Sequence, residues 1–170
     1  METADRQKLY IREFRPEDEA VILSWIGNDD EQRMWSADRY STFPPMPGDM
    51  SALYRESVEA GGFFPYCLTD GERVLGHFIL RYPTEDTSLL RVGFVIIDPS
   101  LRGQGIGKLL IEKAKEEAAG MGAKKLSLGV FTDNPAAYHC YLSCGFAVTG
   151  EEDYTVLGTQ YPGYTMEMEI

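Results

Sequence analysis

Cysteine is scarce in this chain of 170 residues: there are three, Cys67, Cys140 and Cys144. An odd, sparse count gives no disulfide framework. Cys140 and Cys144 lie one helical turn apart beside His139, but two thiols do not make the four ligands that zinc usually takes. They read as small buried core residues, and no metal is expected. No apolar run approaches the ~18 residues of a membrane span, so no membrane partner is expected. The opening Met1-Glu2-Thr3-Ala4-Asp5-Arg6 lacks the apolar core of a signal peptide, and the expected location is the cytoplasm. Basic residues are few as well: 16 Lys and Arg stand against 27 Asp and Glu, a net charge of −11. That balance argues against nonspecific nucleic-acid binding, which needs a basic surface. It favours solubility and is compatible with a cationic amine substrate drawn in by a negative field. Repeats, low-complexity tracts and linkers are absent too. The length and a hydrophobic content of 44% fit one domain, residues 1–170, with one core.

What is present alternates between strand and helix patterns. Residues 8–14 read as a first strand, with Leu9 and Ile11 on one face. Arg15-Pro16-Glu17-Asp18-Glu19 starts a helix running to about Ile26, with proline at a first helical position and acids in the first turn. A short helical piece over 30–35 and a helix from Asp49 or Ser51 to about Ala60 follow, separated by the proline-rich loop 41–48. Residues 64–69 and 73–80, joined through Asp70-Gly71, form a hairpin. Leu89–Ile97 is nearly continuously apolar, as a strand covered on both faces should be. A helix over 105–121 places Ile106, Leu109, Leu110, Ala114 and Ala118 on one face. Lys125–Phe131 is another strand. Asn134 caps a helix that begins at Pro135 and runs to about Ser143. Two strands, 146–156 and 161–170, close the chain.

The junction between Leu89–Ile97 and the helix after it carries the most chemistry. It reads Asp98-Pro99-Ser100-Leu101-Arg102-Gly103-Gln104-Gly105-Ile106-Gly107-Lys108. The first N–H groups of a helix have no partner within it and carry partial positive charge. Glycine leaves them open to a ligand and tolerates positive φ. Such a start is a cradle for phosphate, and Arg102 and Lys108 add full charges. A Walker loop needs Ser or Thr after the lysine, and Lys108 is followed by Leu109. The dinucleotide fingerprint needs Gly-x-Gly-x-x-Gly, and Gly103-x-Gly105-x-Gly107 is one residue too tight. The pattern Arg/Gln-x-x-Gly-x-Gly/Ala fits in full over residues 102–107.

On these residues the chain resembles the GNAT superfamily of N-acetyltransferases, whose acetyl-coenzyme A signature has that form. A second segment, Asn134-Pro-Ala-Ala-Tyr138-His-Cys-Tyr141-Leu-Ser-Cys-Gly145-Phe146, resembles the family's next motif. The resemblance implies an α/β (α+β) fold. Its mixed central β-sheet would have six to seven strands flanked by about four helices, splayed between the strands Leu89–Ile97 and Lys125–Phe131. Acetyl-CoA, as co-substrate, would lie in the splay. Val95, Ile96 and Ile97 would pair with its pantetheine arm. The pyrophosphate would take N–H groups from Gly103, Gln104, Gly105, Ile106, Gly107 and Lys108 beside Arg102. Asn134 would contact the arm from the other side.

The activity implied is acetyl transfer to a primary amine of a small molecule or a protein N-terminus. Tyr141 would contact the cofactor and protonate the leaving thiolate, with Tyr138 as the alternative. No base is assigned: Leu89–Ile97 holds no carboxylate, Asp98 reads as a turn residue, Glu85 and Asp86 as loop acids, and His77 as structural. The Ile11-Arg-Glu-Phe-Arg-Pro segment resembles the branch of ribosomal-protein N-terminal acetyltransferases. Residues 25–50 and the loops around 82–88 and 155–163 should form the substrate face, where Trp35, Tyr40, Phe43, Tyr161 and Tyr164 fit either an aromatic wall or the core. Trp25 reads as core. The rival readings are a non-catalytic acyl-CoA-binding sensor and an acyltransferase using another acyl donor. A monomer and a homodimer are both compatible with the sequence.

Overall fold

The sheet is built outward from two antiparallel units that meet along one short parallel seam. In the computed structural model, which describes residues 3–170, the strands are β1 (Tyr10–Glu13), β2 (Phe63–Thr69), β3 (Val74–Arg81), β4 (Leu89–Ile97), β5 (Lys125–Phe131), β6 (Ala147–Val156) and β7 (Thr159–Glu169). Their order across the sheet is β1-β2-β3-β4-β5-β7-β6, so all seven form the expected mixed sheet. Four helices have eight or more residues: α3 (Asp29–Ser36), α4 (Asp49–Ala60), α5 (Ile106–Gly120) and α6 (Pro135–Ser143). Shorter α1 (Thr3–Arg6) and α2 (Glu19–Ser24) complete the described helices, and a 3-10 turn at Pro16–Asp18 replaces the expected start of one continuous helix. Among the described residues no helix is long and apolar enough to cross a membrane.

Local chemistry sets the turns. The Asp70 carboxylate accepts from the N–H groups of Glu72 (2.9 Å) and Arg73 (2.8 Å), closing the β2–β3 turn around Gly71. The Asn134 side chain caps α6 by accepting from the Ala137 N–H. β6 and β7 join through Leu157-Gly158, both at positive φ (48° and 84°), the geometry of a tight hairpin. Leucine is an unusual residue there, which is why the sequence placed β7 two residues late.

Two apolar layers cover the sheet. On one face Leu68, Phe78, Leu80, Leu90, Leu126 and Leu128 pack against Ile106, Leu110, Ile111 and Ala114 of α5 and against Tyr141 of α6. On the other, Cys67 and Ile79 pack against Ile22 and Trp25 at α2 and Met50 and Tyr54 of α4. A fully buried leucine contributes roughly 1.5–3 kcal/mol, so both layers hold the strands firmly.

β4 changes parity halfway. His77 pairs with Ile96 but Ile79 pairs with Gly93, so two residues, Phe94 and Val95, oppose Phe78 alone. Phe94 takes φ +51°, and the strand carries a β-bulge. Leu90 and Val92 before it and Val95 and Ile97 after it face α5, while Phe94 and Ile96 face the α2–α4 layer. The Phe94 carbonyl accepts from the Trp35 indole N–H at 2.8 Å, which ties α3 to the bulge.

His77 lies in the second layer, fully buried. Its Nδ1 lies 2.8 Å from the Tyr66 carbonyl and its Nε2 lies 2.8 Å from the Tyr54 hydroxyl. A carbonyl only accepts, so Nδ1 carries the hydrogen and Nε2 accepts from Tyr54. Burial lowers its pKa from an ordinary 6.5 to about 4. The ring is thus neutral in the fold, while the unfolded chain takes up a proton below about pH 6.5. The contribution of His77 to stability is complete above pH 6.5 and is lost as the pH falls towards 4. The loss across that window is roughly 3 kcal/mol. Urea melts across this range are expected to show a steeper fall for the native chain than for His77→Gln, which lacks the titrating ring.

Candidate active site

β4 and β5 pair through Leu89↔Lys125, Leu90↔Leu126 and Arg91↔Ser127, and then part. Beyond Arg91, β4 is held only from outside, by β3, as far as Gly76↔Ile97. β5 is held only from outside, by β7, as far as Phe131↔Gly163. Two strand edges therefore face each other across a wedge. Buried backbone donors and acceptors need partners, and an extended chain of matching length supplies them.

A cavity of about 470 Å³ fills the wedge. Val95 and Ile96 line it from β4, Leu128, Gly129 and Val130 from β5, Asn134, Ala137 and Tyr141 from the α6 side, and Arg102 from the loop. Ile97 and residues 103–108 lie beyond its lining. The Asn134 oxygen is engaged in the α6 cap, while its amide NH2 has no partner among the described residues. Tyr141 is buried, and its ring meets Phe146 edge-on at 6.1 Å. Tyr138 does not line the cavity; it packs on Tyr164. Burial, and the neighbouring thiols of Cys140 and Cys144, push the Tyr141 phenol well above its ordinary pKa, so it is protonated at neutral pH.

The loop after β4 has the geometry its glycines suggested. Gly103 and Gly105 take φ +76° and +78°, and α5 begins at Ile106. The first bond into the helix comes from Leu109 to the Gly105 carbonyl, so the N–H groups of Ile106, Gly107 and Lys108 point out of the helix start with no acceptor among the described residues. Arg102 and Lys108 are exposed there. A third cation that no local pattern marks, Arg6, bonds the Gln104 carbonyl through its guanidinium. Gly107 faces α6, where an added Cβ would stand 3.7 Å from the Cys140 sulfur.

The sequence profile of the acetyltransferase (GNAT) family matches residues 11–146. The chain belongs to this family. Over 120 residues it is 33% identical to the peptidyl-lysine N-acetyltransferase YjaB of Salmonella typhimurium, covering 66% of this chain and 74% of that protein. Over 139 residues it is 36% identical to the mycothiol acetyltransferase of Gordonia bronchialis, covering 76% of this chain but only 44% of that longer protein. The spermidine N-acetyltransferase of Vibrio cholerae, solved with CoA and spermine, superposes with a TM-score of 0.79 over 96% of each chain at 22% identity, which shows the fold. The family's enzymes are acetyltransferases that use acetyl-CoA as co-substrate.

Several expected parts lie elsewhere. Glu85 and Asp86 are exposed in the β3–β4 loop, where Asp86 accepts from Ser88. Asp98 caps the following turn through Ser100. The aromatic wall is not assembled: Tyr40, Phe43 and Tyr161 line a separate depression, and of the five only Trp35 faces the wedge. The loop 82–88 lines neither side of the wedge, nor does 155–163. Trp25 is core, yet its edge also reaches the cavity.

The sequence reading did not single out the acids Glu31 and Asp133 on the wedge wall, or Arg33 beside them. Arg33 is buried, bonds Asp30 and Asp133, and stacks 3.8 Å from the Tyr161 ring. Desolvation opposes its charge, but the two carboxylates outweigh that and raise its pKa. It fastens α3 to the loop carrying Asn134. Among the described residues no three His, Cys, Asp or Glu side chains are grouped to hold a metal.

Gly105 and Gly107 should respond differently to a methyl group. Gly105→Ala forces a side chain into φ +78° and against Arg6, and is expected to cost about 1 kcal/mol. Gly107→Ala meets only ordinary contact and removes a helical glycine, so stability should hold or rise by up to about 1 kcal/mol. Urea denaturation of both variants measures the difference.

Proposed function

We propose that this chain transfers the acetyl group of acetyl-CoA to a primary amine by direct attack on the thioester. The observation that carries the reading is the parting of β4 and β5 after three residue pairs. It leaves an open strand edge beside a row of outward N–H groups, which together suit an extended arm ending in a pyrophosphate. Val95, Ile96 and Ile97 would pair with that arm. Residues 103–108 would hold the pyrophosphate, with charge from Arg102 and Lys108. Asn134 would meet the arm across the wedge.

The incoming ammonium must first lose a proton to expose its lone pair. The nitrogen then bonds to the thioester carbonyl carbon, and negative charge moves to the oxygen. A backbone N–H at the β4 bulge is the candidate to stabilise that oxygen. Collapse breaks the C–S bond, Tyr141 gives its proton to the departing thiolate, and the excess proton left on the nitrogen returns through water to the tyrosinate, which leaves a neutral amide, a thiol and a neutral phenol. The burial that keeps this phenol neutral also raises the basicity of a thiolate formed beside it, so the transfer is not opposed by a large pKa gap.

The relatives are named for peptidyl-lysine, mycothiol and spermidine; a primary amine is the part we carry over from the lysine and spermidine enzymes. The N-terminal segment's resemblance to ribosomal-protein acetyltransferases adds a protein N-terminus to the acceptors worth testing.

Thiol release from acetyl-CoA is expected with one class from a panel of amino acids, N-terminal peptides, polyamines and aminoglycosides. Tyr141→Phe should lower kcat by about 10²-fold while CoA binding, followed by thermal shift, stays the same. A CoA sensor would bind CoA without release in the native chain, and loss of CoA binding on changing residues 102–108 would leave no site for the cofactor elsewhere.

A further inference from the structure

The wedge has a second mouth, on the face of the sheet away from α5. It is a cavity of about 280 Å³, and it shares Trp35, Val92, Gly93, Phe94, Gly129 and Val130 with the first. Its charged lining is Arg39, Arg81 and Arg91, against one carboxylate, Asp38. A local excess of positive charge is unexpected in a chain of net charge −11.

We infer that the acceptor amine carries an anionic group, a carboxylate or a phosphate, that docks on Arg81 and Arg91 with Arg39 at this mouth. The inference rests on the acetyl-transfer reading above and narrows its substrate. Arg81 and Arg91 are directly opposite across the β3–β4 ladder. Side chains so placed start about 5 Å apart, and like charges there are destabilising. Among the described residues none of the three guanidiniums forms an ion pair, whereas Arg12, Arg33 and Arg73 each have a carboxylate. Arg81 is half-buried, and desolvation together with the charges of Arg91 and Arg39 lowers its pKa. An anion entering the mouth would relieve both effects.

The surroundings are shaped for such a guest. A Cβ on Gly129 would stand 2.5 Å from an Arg91 Nη atom and 3.3 Å from the Tyr154 hydroxyl, so only glycine lets that guanidinium lie across β5. The Tyr154 hydroxyl is buried and has no hydrogen-bond partner among the described residues. Paired planar guanidiniums and a hydroxyl donor suit the several acceptor oxygens of a carboxylate or phosphate. This group is not the pyrophosphate site: Arg91 stands at the closed end of the wedge, and the phosphate loop follows the far end of β4. Ile97 is six steps along the strand from Arg91, roughly 20 Å. The bulge at Phe94 is only three residues from Arg91, roughly 10 Å, which puts amine and anion within one small or medium-sized molecule.

Matched amines test this: lysine against 1,5-diaminopentane, phosphoethanolamine against ethanolamine, and glucosamine 6-phosphate against glucosamine, with spermidine as a polycation. The anionic member of at least one pair is expected to have a kcat/KM at least 10-fold higher, and which pair responds separates carboxylate from phosphate. Arg81→Gln and Arg91→Gln should each raise KM for that amine 10-fold or more, shift its uncharged partner less than 3-fold and leave KM for acetyl-CoA unchanged. Faster turnover of spermidine or 1,5-diaminopentane than of every anionic amine would overturn the inference, as would arginine variants that leave all KM values in place. Calorimetric titration of the same anionic amines into the CoA-bound protein reads the mouth without turnover. Binding lost in Arg91→Gln supports the anion site even if acetyl transfer fails, and no binding to the native protein overturns it.

Discussion

The structure turns on what β4 and β5 fail to do. Parallel strands normally stay paired along their length, because each unpaired N–H or C=O in a buried place costs free energy. Here pairing stops at Arg91↔Ser127, yet both strands continue to Ile97 and Phe131. They can do so because each is gripped from outside, β4 by β3 and β5 by β7. The seven-stranded order is thus a means of holding two edges apart. The fully buried side chains beneath, from Leu90 and Ile106 to Leu126, keep the seam closed at one end while the other end stays open. The bulge at Phe94 lies within the stretch of β4 that β5 leaves unpaired, and the Trp35 indole N–H holds its carbonyl.

That arrangement separates two tasks by face. On the α5 side, the helix start presents N–H groups unpaired among the described residues beside the charge of Arg102, and Tyr141 stands in the wedge from α6. On the opposite side, α3 ends in an Ala37 at φ +54° that turns Asp38 and Arg39 over the second mouth. Arg33 links these halves, since it holds both Asp30 on α3 and Asp133 on the loop leading to Asn134. A ligand entering either mouth therefore meets walls that are fastened to each other rather than free loops.

The sequence was most legible where local pattern and function coincide. Continuous apolarity marked Leu89–Ile97 to the residue, glycine spacing marked the loop at 102–108, and Asn134-Pro135 marked the start of α6. These are short-range signals set by backbone sterics and helix-end chemistry. What stayed hidden depends on register. The bulge leaves no mark in composition, because Gly93-Phe94-Val95 reads as ordinary strand. Arg81 and Arg91 are ten positions apart and become neighbours only when β3 and β4 pair in this register. Arg6 reaches the phosphate loop from the other end of the chain. The aromatic wall misled for the same reason: Phe43 and Tyr161 do come near each other, but around a different depression.

Net charge shows the limit of a summed quantity. A chain at −11 favours cations at long range, where its charges act together. At contact distance the field belongs to the nearest groups, and salt screens the rest within about 8 Å. The mouth beside Phe94 is lined by three arginines and one aspartate, so the local sign is opposite to the global one. An amine that also carries an anion satisfies both scales, because its ammonium suits the distant field and its carboxylate or phosphate suits the near one. A polyamine satisfies only the first. The cross-strand repulsion between Arg81 and Arg91 is a cost that the free protein bears at all times, and a fold with 27 acidic residues had many ways to remove it. Among the described residues none of them pairs with Arg81 or Arg91, and a ligand that brings the missing charge accounts for that.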